Sequence, residues 1–195
     1  SKYPTGEGSA GFPPMFAERT GEGLGVGAGV ALSSARRALE LADEWQRQVG
    51  RPNARDYVDA HWLLGAAQRA NGDLAEAEQH LTESLTRCRA INSVDGEADI
   101  LIDLARLHAE QGEMEEAERL AQEAVEIAER CGYALQGADA HLELAKLALR
   151  KDPSGLALQH AREARRLAAC DGPPDYTYKV AYDEAGALLA QVSSQ

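Results

Sequence analysis

The residues of this 195-residue chain best suited to chemistry are five histidines and three cysteines. The histidines are His61, His80, His108, His141 and His160. Zinc hydrolysis would require ligands at fixed spacing, as in His-Glu-x-x-His, and that motif is absent. His61 and His141 are instead 80 residues apart, as are His80 and His160. Equivalent places in a repeating sequence imply packing roles rather than convergence on one site. Cys88, Cys131 and Cys170 are odd in number and lack Cys-x-x-Cys spacing, which supports neither a disulfide framework nor a zinc site. They read as small, half-buried helix side chains in a reducing cytoplasm. Gly21, Gly23, Gly25 and Gly27 alternate, but no preceding strand and no Gly-Lys-Ser/Thr makes them a phosphate loop. A Gly-x-Ser-x-Gly nucleophile turn is also missing. The carboxylates of Glu113-Met-Glu-Glu-Ala-Glu118 suit the solvated first turn of a helix, where the dipole favours negative charge. These patterns predict no catalytic residue, no cofactor and no metal.

Charge narrows the partners. The chain has 32 Asp and Glu against 20 Lys and Arg, a net charge of −12. Phosphate backbones and anionic membrane surfaces both require clustered cations, so neither nucleic acid nor a membrane is expected. No apolar run approaches the roughly 20 residues that span a bilayer, and no signal-peptide pattern opens the chain. A cytoplasmic protein is the expectation. The chain starts at Ser1 rather than Met, which reads as a piece cut from something longer or as a processed chain.

The elements that position these residues follow from an internal repeat. Leu64, Leu104 and Leu144 are spaced by 40, as are Gly65, Ala105 and Ala145, and Ala77, Ala117 and Ala157. Asp59, Asp99 and Asp139 keep the same step. Within each unit apolar residues recur at three and four, which predicts helices. Gly72 and Gly112 permit the left-handed residue that stops a first helix. Asp73 can cap the next N-terminus, and Pro153 bars continuation in the third unit. The units read as residues 56–91, 96–131 and 136–170, preceded by a half unit at 30–48 and closed by a capping helix at 176–192. Small residues at 65, 105 and 145 let the two helices of a pair approach.

The pattern His61-x2-Leu64-Gly65-x2-Gln68, Gly72, Ala77-x3-Leu81 resembles the tetratricopeptide repeat family. HEAT or armadillo pairs share the 40-residue period and are the structural alternative; the Gly-Asp turn favours the tetratricopeptide reading. The resemblance implies an all-α, right-handed α-solenoid of antiparallel helix hairpins, with the first helix of each unit lining a concave groove that binds a protein or extended peptide. Carried onto this chain, it implies an apolar column of Trp62, Ile102, Leu142 and Tyr182. Beside it run Leu63, Asp103, Glu143 and Asp183, then Ala66, Arg106, Lys146 and Gly186, then Arg69, Ala109, Leu149 and Leu189. Asp59, Asp99 and Asp139 lead the units, and Lys179 breaks that series. Trp62 is the expected anchor. The pairs Asp103–Arg106 and Glu143–Lys146 also fit ordinary i,i+3 pairs on exposed helix, and Ile102 and Leu142 also fit a core.

Residues 1–28 form a separate Gly/Pro-rich zone. It holds the only two phenylalanines of the chain, in Phe12-Pro13-Pro14-Met15-Phe16. This reads either as a flexible linker or as a docking segment that fills the place of a missing first helix or lies in the groove. The stretch from Ala128 to Ala148, with Cys170-Asp-Gly-Pro-Pro-Asp-Tyr176, resembles the C-terminal repeat arrays of bacterial STAND-type signalling NTPases. That resemblance implies a sensor within a larger protein. A free-standing adaptor and a self-associating scaffold are the alternatives.

Overall fold

The computed structural model describes residues 24–50, 53–151, 155–170 and 177–193, with side chains for residues 29–50, 53–151, 155–170 and 177–192. The Phe12–Phe16 segment and Pro153 lie outside the described residues. Among the described residues eight helices follow in order: α1 (Leu24–Val49), α2 (Ala54–Asn71), α3 (Leu74–Ala90), α4 (Val94–Gln111), α5 (Met114–Cys131), α6 (Ala134–Lys151), α7 (Gly155–Ala168) and α8 (Lys179–Ser193). The fold is an all-α solenoid. Helix α1 begins at Leu24, ahead of the half unit expected at 30–48 and inside the Gly/Pro-rich zone of residues 1–28.

Local chemistry sets the boundaries. Asn53 accepts the Arg55 N–H and starts α2. Gly72 and Gly112 stop α2 and α4 at φ of 91° and 87°, where a side chain would be strained. Asp73 holds the N-cap place of α3 but makes no capping bond, because its carboxylate is taken by the Asn71 amide at 2.8 Å. Of the three cysteines, Cys88 is buried, Cys170 is intermediate, and Cys131 is exposed at the end of α5 rather than half-buried.

Helices α2/α3, α4/α5 and α6/α7 pack as hairpins, with α1 against α2 and α8 against both α6 and α7. The small residues act as their spacing implies. A Cβ on Gly65 would stand 2.7 Å from Leu81 Cγ and 3.1 Å from the Ala77 carbonyl oxygen. Leu81 is fully buried and has nowhere to move. Gly65→Val should therefore cost about 1–3 kcal/mol through overpacking, measured by urea unfolding. The same change at Gly29, where the space is open, provides the comparison.

Curvature follows from which helices meet. First helices approach across neighbouring pairs, α2 to α4, α4 to α6 and α6 to α8. Among the described residues no such backbone approach joins α3 to α5 or α5 to α7. The stack thus bends with α2, α4, α6 and α8 inside.

Candidate functional site

A polar ladder crosses this inner face from one first helix to the next. Trp62 on α2 donates its indole N–H to Asp103 of α4 at 2.7 Å. Arg106, one turn along, donates Nη1 to Asp103 at 3.1 Å and Nε to Glu143 of α6 at 3.0 Å. Lys146 donates to Glu143 at 3.0 Å and pairs with Glu184 of α8 at 3.0 Å. Each rung joins residues about one repeat apart. Arg69–Glu110 and Arg55–Asp95 extend the rule at 2.6 and 3.3 Å.

The ladder is not the exposed decoration that i,i+3 spacing suggested. Asp103 and Glu143 are 8% and 7% exposed. Burial pushes the Glu143 carboxyl up, but Arg106 and Lys146 together outweigh it and hold it below its ordinary value. Burial likewise lowers the Arg106 guanidinium, and Glu143 and Asp103 more than reverse that.

The leading aspartates behave differently. Desolvation raises the Asp99 carboxyl to about 6; the Gln136 amide, at 3.4 Å, offsets part of this, and Asp103, Asp139 and Asp95 add to it. Asp139 is also raised by desolvation, against Arg106 and a 2.9 Å hydrogen bond from the Tyr178 hydroxyl. Asp59, exposed at the first of these helices, is raised by desolvation, against Arg55, with Asp56 and Asp95 adding to it. Lys179 lies outside this set and pairs with Asp183 on α8 at 2.8 Å.

The expected apolar column is not on the open face. Ile102 and Leu142 are each 2% exposed. Leu142 packs with Ala164 of α7 and Ala185 of α8, so this column points into the seam between neighbouring pairs. Tyr182 turns to α7, where Arg165 stacks 4.6 Å from its ring centroid and donates to its hydroxyl at 2.9 Å. Trp62 is half-buried against the core, with its indole N–H committed to Asp103. Leu63 remains exposed at 42%. Sequence reasoning missed Glu184, Gln136, Tyr178 and Glu110. The signal for them was the repeat itself, since opposite charges or donor–acceptor pairs recur 37–41 positions apart.

The recurring histidines do meet, but in two separate pairs within hairpins. His61 and His80 bring their Nδ1 atoms to 2.9 Å, and His141 and His160 to 3.0 Å. Among the described residues no group of three or more His, Cys, Asp or Glu side chains is placed to hold a metal ion.

Residues 56–130, which carry the first two hairpins, match the family described as tetratricopeptide repeat. These residues carry tetratricopeptide repeats. Its sequence is 35% identical over 109 residues to "Regulatory protein AfsR" of Streptomyces griseus, covering 55% of this chain and 11% of that protein. The chain thus spans about a tenth of that relative's length. Its fold resembles the crystal structure of BtubC (BKLC) from P. vanneervenii with a TM-score of 0.61, at 19% identity, over 85% of this chain and 62% of the other. Over residues 56–130 the match is to tetratricopeptide hairpins, the reading the Gly-Asp turn favoured. No helix among the described residues is long and apolar enough to cross a membrane.

Proposed function

We propose that this tetratricopeptide array is a non-catalytic module whose inner face receives an extended segment of a protein partner bearing cationic side chains. One observation supports the reading above others. Asp99 and Asp139 sit at the same place in successive first helices, desolvated, with neutral donors Gln136 and Tyr178 beside them. Arg106, the guanidinium that acts on Asp139, already serves Asp103 and Glu143. A lysine or arginine from outside would supply the charge these carboxylates lack and return them to the ionised form. Leu63 offers an apolar contact on the same side, and Arg69, Lys146 and Asp59 frame the lane. Buried anchors give affinity and charges give register.

The test begins by panning a random peptide library on the chain and measuring the selected peptides by calorimetry. Enrichment in Lys and Arg is expected, with Asp99→Asn plus Asp139→Asn weakening binding at least about tenfold, the cost of one charged contact of about 1.4 kcal/mol or more. Selected peptides without cationic residues, or undiminished binding by the folded double variant, would contradict the reading.

We further infer that the array is the sensor part of a larger bacterial signalling NTPase. The similarity to a much longer regulatory protein favours this over a free-standing adaptor or a self-associating scaffold. Gly-x-x-x-x-Gly-Lys-Ser/Thr in the coding sequence flanking this chain is the expected finding; its absence would favour the adaptor.

A further inference from the structure

Asp59, Asp99 and Asp139 hold one position in three successive first helices, 40 residues apart. Rungs between these helices join residues 37 to 41 apart, as in Arg106–Glu143 and Trp62–Asp103. Those offsets bracket the 40-residue step, so equivalent residues stand nearly level across the inner face. Helices α4 and α6 bring Cα atoms within 8 Å of each other. Packed helix axes lie about 8–10 Å apart, so Asp99 and Asp139 are separated by about the same distance, and each carboxylate feels the other's charge. Both side chains are half-buried rather than sealed. The same position on α8 is Lys179, whose side chain is 82% exposed and paired with Asp183. The series of acceptors thus ends in a cation.

That spacing selects among extended ligands. A β-strand places side chains on one face every second residue, about 6.6–6.8 Å apart, or every fourth, about 13 Å apart. Neither step matches neighbouring first helices. In a polyproline II segment every third side chain shares a face, and a rise of about 3.1 Å per residue separates them by about 9.3 Å. This step does match. We propose that the inner face reads a polyproline II segment carrying lysine or arginine at every third position, one cation for each of Asp99 and Asp139 and a weaker third for Asp59. The proposal rests on the inner-face reading above and adds to it the register and backbone form of the ligand. Asp59 contributes less because it is exposed and already has Arg55 acting on it. Lys179 repels a fourth cation at the same step, which closes the lane at α8.

Synthetic peptides of equal length and charge test the register. Each carries two lysines among prolines, set two, three or four positions apart. Calorimetry against the full chain is expected to give the three-residue step an affinity at least about tenfold above the other two, the worth of one further charged contact. Asp99→Asn or Asp139→Asn, with helix content by circular dichroism unchanged, should abolish that preference, because one carboxylate cannot measure a spacing. Equal affinities for all three peptides, each weakened by the two substitutions together, would overturn the register and leave the inner-face reading standing. No binding, or binding that ignores both substitutions, would overturn that reading and the register with it.

Discussion

Glu143→Ala is expected to remove about 2–4 kcal/mol of folding stability, the loss read from urea unfolding. Its side chain is 9% exposed and one carboxylate oxygen accepts from both Arg106 and Lys146. Deleting one member of a buried ion pair costs about 3–5 kcal/mol because the other charge stays desolvated. Arg106 keeps Asp103 as a partner, which places the loss at the lower part of that range. An exposed i,i+4 pair such as Lys179–Asp183 should by contrast change stability by no more than about 0.5 kcal/mol. A cycle combining Glu143→Ala with Arg106→Met should show coupling of at least about 1 kcal/mol. A single-variant loss below about 0.5 kcal/mol would mean that the ladder does not help join the repeats.

The second large effect is a pH dependence set by the histidine pairs. Burial lowers the affinity of all four rings for a proton, and in each pair the first-helix ring, His61 or His141, is lowered further by its partner. Arg87 opposes protonation of His61 while Glu83 and Asp43 favour it; at His141, Arg166 opposes it while Glu163 and Glu129 favour it. Glu83 and Glu118 favour protonation of His80 and His160 respectively. A histidine with a depressed folded value binds fewer protons folded than unfolded. Its stabilisation is therefore complete above the ordinary value of 6.5 and is lost as pH falls below it. Asp99 has the opposite sign. Raised to about 6, it binds more protons folded, so its penalty is relieved as pH falls through 6. The second hairpin has Leu101 and Leu120 where the first has His61 and His80. Replacing both histidine pairs by leucine pairs should thus leave stability at pH 7 unchanged or raised, since losing both partners of a hydrogen bond to apolar groups is nearly neutral. As pH falls from 7 through 6, the unsubstituted chain should lose stability, and the leucine variant, left with the Asp99 contribution, should hold level or gain. Parallel profiles for the two would show that the histidine pairs do not titrate on unfolding.

The repeat made the architecture legible, because a period of 40 with glycine at 65 and alanine at 105, 145, 77, 117 and 157 encodes close helix pairs. Those residues are buried where the pairs meet. The inner face was less legible. The column at 62, 102, 142 and 182 occupies one helical position, yet that position faces the next pair rather than open space, so Ile102 and Leu142 are core. Spacing within one helix cannot distinguish a seam from a groove when both sides of the helix are covered. Asp103 and Glu143 read as surface residues because local i,i+3 partners were visible, whereas the partners that bury them come from the neighbouring repeat. The repeat spacing placed the histidines at equivalent positions, but only the hairpin geometry shows that residues 19 apart touch.

Resonance mapping tests the proposed inner-face site most directly. The labelled chain would be titrated with a lysine-containing peptide from the panning. Amide shifts should concentrate on α2, α4 and α6 around Leu63, Asp99 and Asp139, and the Asp99 carboxyl should titrate lower in the complex than its free value of about 6. Shifts confined to α3, α5 and α7, with the Asp99 titration unmoved, would contradict the account.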